Sequence, residues 1–328
     1  MKHDMTAGRG SHQQEISFFD CDVGFGESGL GHRIVNDPGE MCSILDHYGI
    51  DEALVYDVQM VEGARVGMGD AERLLVFCSC HRVGLEASPP RGHRVIPPSE
   101  ISNPKQIPST KSRKQRKQVT KDSGFSVSSV LSVAEAPSRR LHPTVPIVPP
   151  GTAEQPPPKE LVDWLKASGI RAVRAFPAWH AFDFLPYCIG PLLEVLEDRR
   201  VPVLVSYNAP GVHHWPLTPP WDHIERTARA FPRLPIVVVL TGMLQDRRWL
   251  PLLNECPNVR CDISCCTFGL IELVCRTLGP ERLLFGSGFP CYEPGLVITW
   301  PRYADISEEA AKLIAGDNLR ALIQAVRL

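Results

Sequence analysis

Arg282-Leu-Leu-Phe-Gly-Ser-Gly-Phe-Pro290 is a short apolar run that breaks into small residues and a proline. A buried strand ending at the mouth of a pocket reads this way: Leu283 to Phe285 can fill a core, while Gly286 and Gly288 let backbone approach a ligand or a neighbouring strand. The helical pattern before it, up to Leu278, closes on Gly279-Pro280, a stop signal.

The same unit recurs upstream. Strand Ala172–Phe176 precedes helix Ile189–Arg199, Pro202–Tyr207 precedes Trp221–Phe231, Ile236–Thr241 precedes Asp246–Asn254, and Val259–Ile263 precedes Phe268–Leu278. Earlier still, Ile16–Val23 leads through a glycine-rich loop to a helix that Asp37-Pro38 starts and Gly49 ends, and Glu52–Val58 follows. With Thr144–Val148 and the opening run, eight strands are predicted. Ser307, with Glu308 and Glu309 in the first turn, starts a closing helix to Val326. Eight strands alternating with helices predict an α/β fold of the (β/α)₈ TIM-barrel type. The rival, an open doubly wound sheet, lacks a glycine-rich phosphate turn after its first strand.

One stretch departs from this rhythm. Between Val58 and Thr144 lie more than eighty residues. A helix over Asp70–Phe77 takes up a few, and 78–140 turns to Ser, Pro, Lys and Arg. Lys105, Lys111, Arg113, Lys114, Arg116, Lys117 and Lys121 have no acidic residue among them. Such a segment buries too little apolar surface to offset its ordering entropy, so it is expected as a disordered insertion. It lacks the interleaved aromatics of a single-strand nucleic-acid binder. It also fits a mis-spliced or out-of-frame read, which sequencing the transcript across this region tests. The expected organisation is a disordered tail over 1–15 and one barrel domain over 16–328, interrupted by 78–140.

Bulk properties narrow the function classes. A net charge of −2 over 328 residues favours neither nucleic acid nor an anionic membrane. Eleven cysteines without a C-x-x-C pair suit reduced thiols. The polar N-terminus has no signal-like apolar region, and no run reaches the ~18 residues of a membrane span. The expectation is a cytoplasmic protein whose partners are a small-molecule substrate and further copies of itself in a homo-oligomer, with no membrane and no nucleic acid.

Phe19-Asp-Cys-Asp-Val23, Gly169-Ile-Arg-Ala-Val-Arg-Ala-Phe-Pro177, Arg200-Val-Pro-Val-Leu-Val205, Pro257-Asn-Val-Arg-Cys-Asp-Ile-Ser264 and Gly279 to Pro290 together resemble the amidohydrolase-related branch (amidohydrolase family 2) of the metal-dependent hydrolases. The resemblance covers 16–60 and 140–325. It implies a TIM-barrel hydrolase or decarboxylase that typically holds a divalent metal at the C-terminal mouth. The ligand positions differ here. Asp22 and Gly24 stand where the family has His-x-His, Ser206 and Thr241-Gly242 stand where it has histidines, and Gly288 stands where it has an aspartate. A divalent metal is thus implied by the family but not supported by the residues, because a Zn²⁺ site needs three protein ligands.

Strand period places Phe18, Asp20 and Asp22 on one face, with Asp57 on the next strand. Asp20 and Asp22 are candidates for acid–base work, and Asp22 and Asp57 for a Mg²⁺- or Mn²⁺-type site. Each has a bland alternative as a structural or solvated carboxylate. Arg174, a charge inside an apolar strand, suits a carboxylate clamp or a structural ion pair. His180, Tyr207, Asn208 and Ser287 are candidate substrate-binding residues from the loops and strand ends. His213, His214, Trp179 and Trp215 share those loops. Two functions stay open: a divergent hydrolase or lyase for a small carboxylate-bearing substrate, and a non-catalytic descendant binding a metabolite or protein.

Overall fold

The computed structural model describes residues 16–26, 35–62, 140–207, 219–240, 245–267 and 269–328. The expected tail, the helix Asp70–Phe77, the insertion up to residue 139, and Asn208, His213, His214, Trp215, Thr241 and Gly242 lie outside the described residues.

Among the described residues nine strands form: β1 Phe18–Phe25, β2 Ile50–Asp57, β3 Leu141–Pro143, β4 Val145–Pro146, β5 Val173–Ala175, β6 Val203–Ser206, β7 Ile236–Val239, β8 Val259–Asp262 and β9 Leu283–Leu284. All but β3, which precedes the expected Thr144–Val148, fall where a strand was expected. They pair in parallel, in the orders β1-β2-β3 and β4-β5-β6-β7-β8-β9. β3 and β4 are one stave divided at Thr144, whose N–H reaches Val55 O at 2.9 Å on one side. Pro143 and Pro146, which carry no N–H for the ladder, keep its strand segments short. The ring closes where Cys21 N donates to Phe285 O at 2.9 Å and Gly24 N to Phe289 O at 2.7 Å. Eight staves therefore enclose a lumen, the (β/α)₈ TIM barrel.

Two apolar layers result. Val203, Val205, Val173 and Ala175 face the helices in the outer layer, while Leu204, Leu54, Val237 and Leu284 fill the lumen with Phe19 and Cys21. Leu319, Leu322 and Ile323 of the last helix join the lumen layer and close its floor. That helix is not the unbroken element expected over Ser307–Val326. Glu308–Lys312 and Asn318–Gln324 are α-helical, and Leu313–Asp317 is a π turn. The turn leaves Ile314 O to accept from Phe285 N at 2.8 Å, anchoring the helix to the last stave. Gly316 is required there because a Cβ would stand 2.7 Å from Ser17 O. Helices Pro158–Ala167 and Pro294–Tyr303 were not anticipated. Among the described residues no helix is long and apolar enough to cross a membrane.

The β1–β2 register shifts at two points, between Phe18 and Phe19 and between Asp20 and Val23, and the second falls within the candidate site. Asp20 lies opposite Ala53 and Val23 opposite Val55, so two residues, Cys21 and Asp22, stand against Leu54 alone. Phe18 packs in the outer layer, edge-on to Phe285 at 4.9 Å between ring centres. Beyond the bulge Asp22 meets Arg174, whose strand neighbours Val173 and Ala175 face outward. The expectation that Phe18, Asp20 and Asp22 share a face is thereby corrected: a bulge shifts the alternation by one residue.

Candidate active site

Three of the predicted site residues come together where β1 meets its neighbours. Asp20 is fully buried, and its Oδ1 accepts from the backbone N–H groups of Asp22 and Ser287, each at 2.9 Å. This carboxylate fastens the bulge to the segment after β9. Its Oδ2 meets no hydrogen-bond partner. Burial pushes the carboxyl up to about 7, against the hydrogen bonds from Ser287 and Asp22 that pull it down.

Asp22 accepts from Arg174 Nη1 at 2.7 Å through Oδ1, and its Oδ2 is also buried without a partner. Burial raises its pKa while the adjacent guanidinium opposes the rise. Arg174 is itself 1% exposed. Its Nε donates to Thr144 Oγ1 at 2.9 Å, its Nη2 donates to Cys21 O, and its plane lies over the Tyr56 ring at 4.3 Å. Three of the five guanidinium donors are thus used by the protein.

A third carboxyl belongs to the site. Asp262, at the end of β8, is buried and accepts from Leu240 N at 3.0 Å and from the Ser264 hydroxyl. Burial holds its pKa well above the usual carboxylate range, and the charge of Asp22 adds to the rise. Its Oδ2 stands 2.9 Å from where a Cβ on Gly286 would be, so only glycine lets β9 pass this close. From the sequence, Asp262 reads as a strand-end residue with no role of its own. Its position at the C-terminal end of a barrel strand was the available signal.

The remaining predicted residues take other places. Asp57 Oδ1 accepts from Gln59 N at 2.9 Å, capping the turn Val58–Glu62. Ser287 is fully buried, and its Oγ accepts from Phe289 N at 3.2 Å, so it braces Asp20. Tyr207 sits in the outer apolar layer, on the side of the strand turned from the lumen, and burial raises its phenol pKa. His180 Nε2 lies 3.2 Å from Met60 O, and burial lowers its pKa. Its ring stands 6.0 Å from Phe176, which is 5.6 Å from Tyr56. It therefore touches Arg174 only through a stack of rings.

The family's metal can be tested against these positions. A Cβ on Gly24 would lie 2.9 Å from Val58 Cγ2 and 3.2 Å from both Pro290 Cδ and Tyr56 Cζ. At Gly288, where φ is +70°, a Cβ would stand 2.8 Å from Tyr292 Cδ2 and 2.9 Å from Leu240 Cδ2. Apolar side chains fill the space that ligands at these two positions would need. Among the described residues no three His, Cys, Asp or Glu side chains gather as a metal group. Among the described residues the donors present do not fit a divalent cation. A surface cleft of about 460 Å³, lined by Cys275, Arg276, Asp305, Ser307 and Glu309, lies apart from this site.

Known proteins bear on this architecture. An uncharacterised TIM-barrel protein from Bordetella bronchiseptica is similar at 15% identity, with 94% of this chain and 99% of the other covered and a TM-score of 0.58. The 5-carboxyvanillate decarboxylase LigW from Sphingomonas paucimobilis is similar at 12% identity, with 94% and 99% covered and a TM-score of 0.59. A 5-carboxyvanillate decarboxylase from Novosphingobium aromaticivorans, solved with bound manganese, is similar at 10% identity, with 95% and 98% covered and a TM-score of 0.58. At such identities the likeness concerns the fold. Comparison with curated proteins gives no match. The family model described as Amidohydrolase matches residues 126–323, more than half of the chain. The chain belongs to the amidohydrolase family.

Proposed function

We propose that this protein is a divergent hydrolase or decarboxylase acting on a small carboxylate-bearing molecule at the C-terminal mouth of its barrel. One observation carries the reading. Asp20 and Asp22 are both buried on β1, Asp22 is paired with Arg174, and each carboxyl keeps one oxygen without a hydrogen-bond partner. A buried carboxyl without a partner is costly, and such groups concentrate at sites that handle protons. With a pKa of about 7, Asp20 holds its proton for part of the population at neutral pH, the condition for a general acid that can also take the proton back. The two Arg174 donors not used by the protein suit a substrate carboxylate. The decarboxylases named above act on aromatic acids, which supports this substrate class. A cytoplasmic setting belongs to the same proposal, supported by eleven cysteines without the spacing of a disulfide framework.

A second reading, a non-catalytic descendant that binds a metabolite or protein, is favoured by the apolar filling around Gly24 and Gly288. A panel of esters, amides, lactones and aromatic acids, assayed with the protein and with Asp20→Asn, separates the two. Turnover that Asp20→Asn abolishes supports the enzyme. Inertness of the folded protein towards every class favours the binder.

A further inference from the structure

We infer that the Arg174 guanidinium is the resident cation of this site, and that the protein folds and persists without a divalent metal. In its family the mouth of the barrel holds metal against ligands from β1 and later strands. Here the β1 position that would supply the first ligand is Asp22, and its Oδ1 is taken by Arg174 Nη1 at 2.7 Å. The guanidinium is held on three further sides: Thr144 Oγ1 at Nε, Cys21 O at Nη2 and the Tyr56 ring beneath its plane. Such a cradle offsets much of the desolvation of a buried cation, with three of the five donors met and the face of the guanidinium covered by an aromatic ring. A guanidinium is also part of the covalent chain and needs no set of ligands to retain it.

The second ligand position is closed as well. Tyr56 does two things at once: its ring underlies Arg174, and its Cζ stands 3.2 Å from where a Cβ on Gly24 would be. Val58 and Pro290 complete the filling. Asp22 Oδ2 remains free, but one oxygen is one donor. Asp262, the next carboxyl, is already engaged by Leu240 N and Ser264. The positive charge at this position is thus carried by the chain itself, on Arg174.

This inference stands under either functional reading, and its test does not use activity. Metal content is measured on the purified full chain, and melting is followed with added Zn²⁺, Mn²⁺ or EDTA. The expected result is no stoichiometric metal and no shift in Tm with any of the three. One metal ion per chain, released by EDTA with a fall in Tm, would overturn the inference. Arg174→Met, Asp22→Asn and the double variant then probe the pair. Arg174→Met leaves a buried, uncompensated carboxylate and lowers Tm, whereas the double variant recovers part of that loss. Losses that simply add in the double variant would also overturn it. If Arg174→Met does not fold, the metal content of the parent chain and the Tm of Asp22→Asn decide. A metal-free but inert protein would sink the enzyme reading and leave this one standing.

Discussion

Replacing Asp20 with asparagine isolates the titration of one buried carboxyl, and its effect on stability can be worked through. The native pKa is about 7 against an ordinary value of 3.8, a rise of about 3. At ~1.36 kcal/mol for each pKa unit, this amounts to about 4 kcal/mol. The sign follows from proton counts. Between about pH 4 and pH 7 the folded chain keeps the Asp20 proton while the unfolded chain has lost it. Raising the pH through this window therefore draws the equilibrium towards the unfolded chain. The contribution is complete below the unfolded pKa and gone once the pH passes the folded one. The substituted asparagine cannot ionise, yet its side-chain oxygen can still accept from Asp22 N and Ser287 N. Its amide nitrogen takes the place of the partnerless Oδ2, adding an unmet donor at a pH-independent cost of ~1–3 kcal/mol. The variant should be the less stable protein near pH 4, and the gap should narrow and then reverse by about pH 8, changing by about 4 kcal/mol in all. Urea unfolding of both proteins across that range measures the difference curve, in which other titrating groups cancel. Parallel curves would show that Asp20 does not carry its proton into the folded state at neutral pH, and the acid–base role would fall with it.

Three other substitutions probe the surrounding architecture. Gly288→Asp restores the family's acidic residue in sequence, but it forces a side chain onto a backbone at φ +70° and into Tyr292 and Leu240. It should cost ~1–2 kcal/mol or more and confer no stoichiometric metal binding, as melting and metal analysis would show. Thr144→Val keeps the shape of the stave junction and removes the Oγ1 that meets Arg174 Nε and Val55 O. A loss of ~1–3 kcal/mol in chemical denaturation is expected. Arg282 Nη2 donates to the carbonyls of Leu253, Cys256 and Val259, tying the end of one helix to β8 and β9. Arg282→Met should lower stability by ~3 kcal/mol, with the secondary structure seen by circular dichroism retained at low temperature.

Much of the barrel was legible because its signals are local. The apolar runs Val203–Val205 and Ile236–Val239, their helix partners and the stop at Gly279-Pro280 each depend on a few neighbouring residues. Helix Pro158–Ala167 was passed over although Pro158 opens it, and the long helix after Ser307 hid its π turn because nothing in its apolar spacing marks one. The site was legible only in its members. Asp20, Asp22 and Arg174 do gather, with Ser287 bracing Asp20, whereas Tyr207 and Asp57 serve the outer layer and a helix turn.

By itself the sequence established the alternation that makes a closed parallel barrel, and it shows Asp22, Gly24, Ser206 and Thr241 at positions where the resemblance leads one to expect histidines. Tertiary structure alone decided what surrounds Asp22 and Gly24. The bulge between Asp20 and Val23, the ion pair joining residues 152 positions apart, and the Tyr56 ring packed under Arg174 and against Gly24 all arise from strands brought together by the fold. Side-chain period is a property of one strand. Register, burial and charge pairing are set between strands, and no local pattern encodes them.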